Sequence, residues 1–197
     1  VSILSSFVQR TYDQLSQDLA INNNPALIMV SGGGITGGDV IHLGIFDIPL
    51  ISNIPNIVYL APTNREEYVA IIEQKNYPVA IRVPNGNVVS TGVKVESNFE
   101  NLNTYEKNIE GSEVAIIGLG SFYDLGRKVQ EKLQSETGIK ATLINPRFIT
   151  GIDKQMLTEL LDNHKLVITL EDGILDGGFG EKISRFYGDK NMKVLNF

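Results

Sequence analysis

Six short apolar runs, two of them interrupted by a single threonine, constrain this chain more than anything else in it. They are Ala26–Leu27–Ile28–Met29–Val30, Ile57–Val58–Tyr59–Leu60, Val79–Ala80–Ile81, Val114–Ala115–Ile116–Ile117, Ala141–Thr142–Leu143–Ile144 and Leu166–Val167–Ile168–Thr169–Leu170. Each is too short for an independent helix, and none alternates as a half-exposed strand would. Such runs suit strands covered on both faces, which is the environment of a parallel sheet.

Helix-period segments fall between these runs. Tyr12, Leu15 and Leu19 predict a helix from Phe7 to Asp18, stopped by Asn22–Asn23–Asn24–Pro25. Thr63 fits an N-cap with Glu66 as its capping-box partner, ahead of a helix through Tyr68, Ile71 and Ile72. Leu125, Val129, Lys132 and Leu133 predict a helix over 123–136, closed at Gly138. Asp153 caps a segment through Met156, Leu157, Leu160 and Leu161, and a last helix spans 180–187. Residues 1–6 and 192–197 read as further strands. From Pro84 to Gly111 periodicity is poor, apart from an extended piece at Gly92–Val95. The alternation predicts two three-layer α/β domains with mainly parallel sheets, over 1–90 and 112–197, joined by a linker at 91–111.

Charge and composition remove several function classes. The net charge of −6 gives nucleic acid no basic surface. Cysteine is absent, so disulfides and thiolate metal sites are excluded, as suits a cytoplasmic protein. No apolar run approaches the ~20 residues that span a bilayer. The opening residues lack the basic region of a signal peptide. Both ends fall inside strand patterns, so the chain reads as part of something larger.

Some residues carry chemistry. Ser31–Gly32–Gly33–Gly34–Ile35–Thr36–Gly37–Gly38–Asp39 leads to His42, one of two histidines. Glycines let backbone approach a ligand closely, and an imidazole moves protons near neutral pH. No Gly-Lys-Ser/Thr follows, so this is not a Walker loop. Phe7 offers either a stacking face or a core side chain, and Arg10 and Asp13 suit a helix-surface pair. Glu171 and Asp172 are adjacent carboxylates. Neighbours on a strand face opposite ways, which favours a structural or interface role for them. His164 is expected to be solvated at a helix end. Gly118–Leu119–Gly120 lacks the third glycine of a dinucleotide fingerprint.

Phe7–Val8–Gln9–Arg10–Thr11–Tyr12–Asp13–Gln14, with His42–Leu43–Gly44–Ile45–Phe46–Asp47 and Arg82–Val83–Pro84–Asn85–Gly86, resembles the 1-deoxy-D-xylulose-5-phosphate synthase branch of the transketolase-like thiamine diphosphate enzymes. Asn145–Asp153 and Thr169–Gly180 resemble the transketolase C-terminal domain. The resemblance implies that Phe7 and Arg10 lie beside thiamine diphosphate, that His42 is catalytic, and that Asp39 and Arg82 meet substrate. It implies pyruvate and an aldehyde acceptor as substrates, transfer of a two-carbon unit towards isoprenoid precursors, Mg²⁺ as second cofactor, and a homodimer. The cofactor-activating glutamate of that family falls upstream of Val1 and its metal ligands on another domain, so this chain alone is expected to be inactive. Leu4 stands where the family has tyrosine. Gly32 and Asn85 replace two arginines that bind the phosphate of glyceraldehyde 3-phosphate, which points to a different acceptor. A divergent ketol transferase and a non-catalytic scaffold or regulatory subunit are the alternatives.

Overall fold

The computed structural model describes the chain except residues 36–39, 74–75, 87, 93–94, 96–98 and 100. It contains two sheets. The first is four parallel strands, β1 (Ser2–Leu4), β2 (Leu27–Gly33), β3 (Val58–Leu60) and β4 (Val79–Pro84), in the order β1-β2-β4-β3. The second holds β5 (Glu106–Ile109), β6 (Glu113–Gly118), β7 (Thr142–Asn145), β8 (His164–Leu170) and β9 (Lys193–Asn196), in the order β5-β7-β6-β8-β9. Only β5 runs antiparallel to its neighbour. All six apolar runs lie on strands. The α/β architecture with mainly parallel sheets is the one the sequence implied.

Crossover direction decides which face each helix covers. In the first sheet the path moves one way from β1 to β2 to β3, then back to β4. Right-handed crossovers therefore put α1 (Asp47–Ser52) and α2 (Arg65–Ile72) on opposite faces. The packing agrees. Ile28, Val30, Tyr59 and Ala80 cluster with Ile48 and Ile51, whereas Val58, Leu60, Val79 and Ile81 cluster with Ile71. In the second sheet α3 (Tyr123–Thr137) covers Ile116, Leu143 and Leu170. On the opposite face α4 (Lys154–Glu159) and α5 (Phe179–Tyr187) cover Ala115, Ile117 and Val167.

Local details depart from the sequence reading. The first helical segment starts at Ser5, wound tightly over Ser5–Thr11 and more widely over Gln14–Ala20. The bond from Ile21 N–H to Ser16 O spans five residues and marks that wider winding. Asn64, not Thr63, caps α2, accepting from Glu67 N–H at 2.8 Å, while Glu67 reaches back to Thr63. Glu66 instead accepts from the Ser90 hydroxyl and from the Thr91 and Gly92 N–H groups, which hold its carboxyl down to about 2. On α3, Leu125 is exposed and Gly126 is buried. A Cβ there would meet Ile116 and Leu143 at 3.2 and 3.3 Å, so the glycine sets how closely the helix lies on the sheet. The expected linker ends in strand β5. Its Glu-Lys-Asn-Ile sequence holds one apolar residue, because an antiparallel edge strand needs no buried run. Val93 and Lys94, in the expected extended piece, lie outside the described residues.

The two sheets share a core. The segment after β7 makes an isolated antiparallel bridge between Phe148 and Leu60 of β3. Ala61 N–H donates to Arg147 O at 2.7 Å, Ile149 N–H to Tyr59 O at 2.8 Å, and Tyr59 N–H to the Thr150 hydroxyl at 2.9 Å. Arg147 adopts a φ of 58° to make this approach, and its guanidinium lies 5.3 Å from the Phe99 ring. Phe148 belongs to the second unit by sequence, yet it packs in the α2-side core of the first with Val58, Leu60 and Phe99. Phe148→Ala should therefore cost about 3–5 kcal/mol and lower the stability of both sheets together. Urea unfolding followed by fluorescence and far-UV dichroism should show one coincident transition, and separate transitions would refute the shared core.

Candidate functional site

The C-terminal edge of a parallel sheet is where α/β proteins place ligands. In the first sheet β1 ends at Leu4 and feeds the helical segment that carries Phe7 and Arg10. Three residues apart, these share one side of the helix. The Arg10 guanidinium lies over the Phe7 ring, 5.2 Å from its centre. The next strand ends at Gly33, and the chain returns at Gly44. Gly34 N–H donates to Gly44 O at 2.6 Å and Gly44 N–H to Gly34 O at 3.0 Å, which closes the glycine-rich loop at its base. His42 lies two residues before that closure, and its ring meets Phe7 edge-on at 5.6 Å. The structure thus brings Phe7, Arg10 and His42 together. Phe7 is half-buried, with Arg10 and His42 exposed, so this wall faces outward. Asp39, the fourth expected member, lies outside the described residues.

Arg82 is placed differently. It is 3% exposed and lies beneath the loop, at the junction of the two sheets. Its Nε donates to Asp47 Oδ2 at 2.7 Å, Nη1 to Asp172 Oδ1, and Nη2 to Gly44 O at 3.0 Å. Asp47 also accepts from the Tyr59 hydroxyl, and Asp172 from the Ser121 hydroxyl at 2.8 Å. Burial opposes the guanidinium's charge, but Asp47 and Asp172 outweigh it and raise the pKa. Burial and the neighbouring Asp47 raise Tyr59 well above the ordinary phenol value. Buried charges persist when paired and hydrogen-bonded, and every nitrogen of this fork has a protein acceptor. The expected substrate-binding arginine is therefore engaged inside the protein. Sequence reasoning missed the interaction because Asp47, Arg82 and Asp172 lie on three separate elements.

The two carboxylates lie just past the end of β8 and take different partners. Asp172 faces Arg82. Glu171 accepts from Phe179 and Gly180 N–H at 2.9 and 3.0 Å, so it caps α5 from outside the helix. Burial raises its pKa despite these bonds. His164 is buried rather than solvated: Nε2 lies 2.7 Å from the Thr142 hydroxyl and Nδ1 3.1 Å from Leu160 O. Its position at the start of β8, against β6, explains this, and burial lowers its pKa. A second cleft of about 460 Å³ opens between the sheets beside Thr63, Asn64, Thr91, Ser121, Tyr123 and Arg127. Among the described residues no group of three or more His, Asp or Glu could hold a metal ion.

Residues 104–196 match the family described as "Transketolase, C-terminal domain". Nearly the whole chain also aligns with a C-terminal portion of curated synthases. It is 34% identical to the 1-deoxy-D-xylulose-5-phosphate synthase of Dehalococcoides mccartyi, over 98% of this chain and 30% of that protein. The synthase of Halothermothrix orenii is 36% identical over 99% of this chain and 31% of its own length. The fold is transketolase-like. The chain spans about 30% of the length of the synthases it matches. A solved structure described as "Split gene transketolase, inactive beta4 tetramer" shares the fold, with a TM-score of 0.82, 22% identity, and coverage of 99% of this chain and 64% of that one. The part of the chain that matches the C-terminal domain family is thus the part that supplies Ser121, Glu171 and Asp172.

Glu171→Ala should cost about 1–2 kcal/mol through loss of the α5 cap, measured by chemical denaturation. With a folded pKa above the usual 4.5, Glu171 favours the fold most below that value. Its contribution falls as pH rises through the raised folded midpoint, and a carboxyl NMR titration with a midpoint at or below 4.5 would contradict this.

Proposed function

We propose that this chain supplies the C-terminal part of a thiamine diphosphate-dependent synthase of the 1-deoxy-D-xylulose-5-phosphate type. Its substrates would be pyruvate and an aldehyde acceptor. The convergence of Phe7, Arg10 and His42 on one outward wall supports this reading most directly, together with the alignment to such synthases across nearly the whole chain. When bound, the cofactor supplies a nucleophilic carbon that adds to a 2-oxo acid and lets it lose carbon dioxide.

The residues present fit the aromatic end of that cofactor. Phe7 offers ring surface, and Arg10 adds a cation beside it. His42 is placed to give or take a proton at the substrate hydroxyl or carbonyl that meets the wall, with Asp39 as a further substrate contact. In this reading Mg²⁺ and the diphosphate would be held by groups on the part of such a synthase that this chain does not match. Arg82 serves the site from beneath. Gly32 and Asn85 leave the wall without the two guanidiniums that would bind an acceptor's phosphate, which favours an unphosphorylated acceptor. A homodimer and a cytoplasmic setting accompany this reading.

A second reading is a subunit that completes its site only with another polypeptide. It draws support from the fold neighbour's own description as a split-gene, inactive assembly.

Calorimetry should show no binding of thiamine diphosphate and Mg²⁺ to the 197-residue chain at micromolar concentrations. Joined to the preceding residues of the Halothermothrix orenii synthase, the chain should release carbon dioxide from pyruvate, and His42→Ala should lower that kcat by about 10²–10⁴-fold. Unchanged turnover in the His42 variant would remove His42 from the reaction, and lack of any turnover in the folded hybrid would favour the non-catalytic alternative.

A further inference from the structure

We propose that Asp172, acting through Arg82, is a positioning residue for His42, so that the second sheet holds the Gly34–Gly44 closure carried by the first. The route is short and continuous. Asp172 leaves the C-terminal end of β8 and pairs with Arg82 Nη1. The Nη2 of the same guanidinium donates to Gly44 O at 3.0 Å and to Asp172 O at 3.3 Å. Gly44 in turn closes on Gly34, and the loop between them presents His42 to Phe7 at 5.6 Å.

Independent support comes from what the glycines touch. A Cβ on Gly33 would sit 2.8 Å from Arg82 Cγ and 2.9 Å from its Nε. On Gly34 it would sit 2.2 Å from Asp172 Oδ2, and on Gly44 2.0 Å from Gly32 O. Contacts under 3 Å to atoms held by a buried ion pair leave no room for a side chain. Gly33 and Gly34 therefore lie directly on the Arg82–Asp172 pair, which acts as the template for the base of the loop.

This contact falls where the second sheet would otherwise receive a ligand. In that sheet β6 leads to β7 on one side and β8 leads to β9 on the other. The crevice between the ends of β6 and β8 is thus the switch point of an open α/β sheet. Ser121 and Asp172 mark that crevice, and Arg82 of the first sheet fills it. A position that binds small molecules in other folds here grips the neighbouring unit.

The geometry holds His42 irrespective of which ligand meets the wall, so a failure of thiamine diphosphate binding leaves this positioning intact. The test is NMR of the His42 ring protons in the 197-residue chain. Phe7→Leu removes the aromatic ring current and defines the shift of a His42 without its neighbour. In Asp172→Asn and in Arg82→Lys, which keeps the charge but loses the fork, the His42 signals should move most of the way to that value. Backbone signals of Val167 and Ile183 should stay in place. Ser121→Ala retains the ion pair and should leave His42 unmoved. His42 signals unchanged in a folded Asp172→Asn chain would overturn the proposal.

If neither ion-pair variant folds, hydrogen exchange in the unaltered chain decides. The Gly34 and Gly44 amides should be protected within about tenfold of the Ala61 and Ile149 amides that join the sheets. Exchange about a thousandfold faster would show that the loop moves independently of the ion pair and would reject the coupling.

Discussion

One guanidinium inside the protein holds the rest of the arrangement in place. Arg82 rises from the middle of the first sheet and finds a carboxylate on each side, Asp47 from α1 and Asp172 from the end of β8. Such a group is costly to desolvate, and each of its nitrogens here has a protein acceptor. These bonds link three elements: the first helix after the glycine loop, the loop itself through Gly44 O, and the second half of the chain. The backbone bonds around Tyr59, Ala61 and Ile149 supply a second, non-ionic seam beside it. Apolar packing makes the two sheets one body, and the ion cluster joins α1, β4 and the segment after β8 within it.

The fold was legible in the sequence because it rests on a local signal. Val114–Ile117 and Leu166–Leu170 announce buried parallel strands wherever they occur, and the Asp153 cap is found within its own turn. What escaped is non-local. Nothing near Arg82 in sequence says that its partners are 35 and 90 residues away. Its charge and its place after a strand read equally well as a substrate contact. His164 escaped for the same reason, since the Thr142 hydroxyl that binds it lies on another strand. Strand β5 was missed because an edge strand exposes its side chains and shows no apolar run. At the wall, the pairing of Phe7 with His42 came from resemblance, and periodicity alone would have left each as a core or surface residue.

The two halves of the chain divide the work unequally. The first carries the aromatic ring, the cation and the imidazole. The second half brings none of these groups to the wall. Its part is mechanical. Ser121 and Asp172 hold Arg82, Glu171 caps α5 beside them, and Phe148 completes a core on the far face of the neighbouring sheet. Lys182, half-buried and donating to Ile149 O at 2.8 Å, ties α5 to the same seam, with burial lowering its pKa to about 8.

In the order of the first sheet β1 pairs with β2, and β3 pairs with β4. A free strand margin is a template on which a foreign chain can continue the ladder. At the β3 margin the sheet is bridged by Phe148. That cover makes runaway stacking of copies through the β3 margin unfavourable, even though the strands of this sheet are among the most apolar stretches of the molecule.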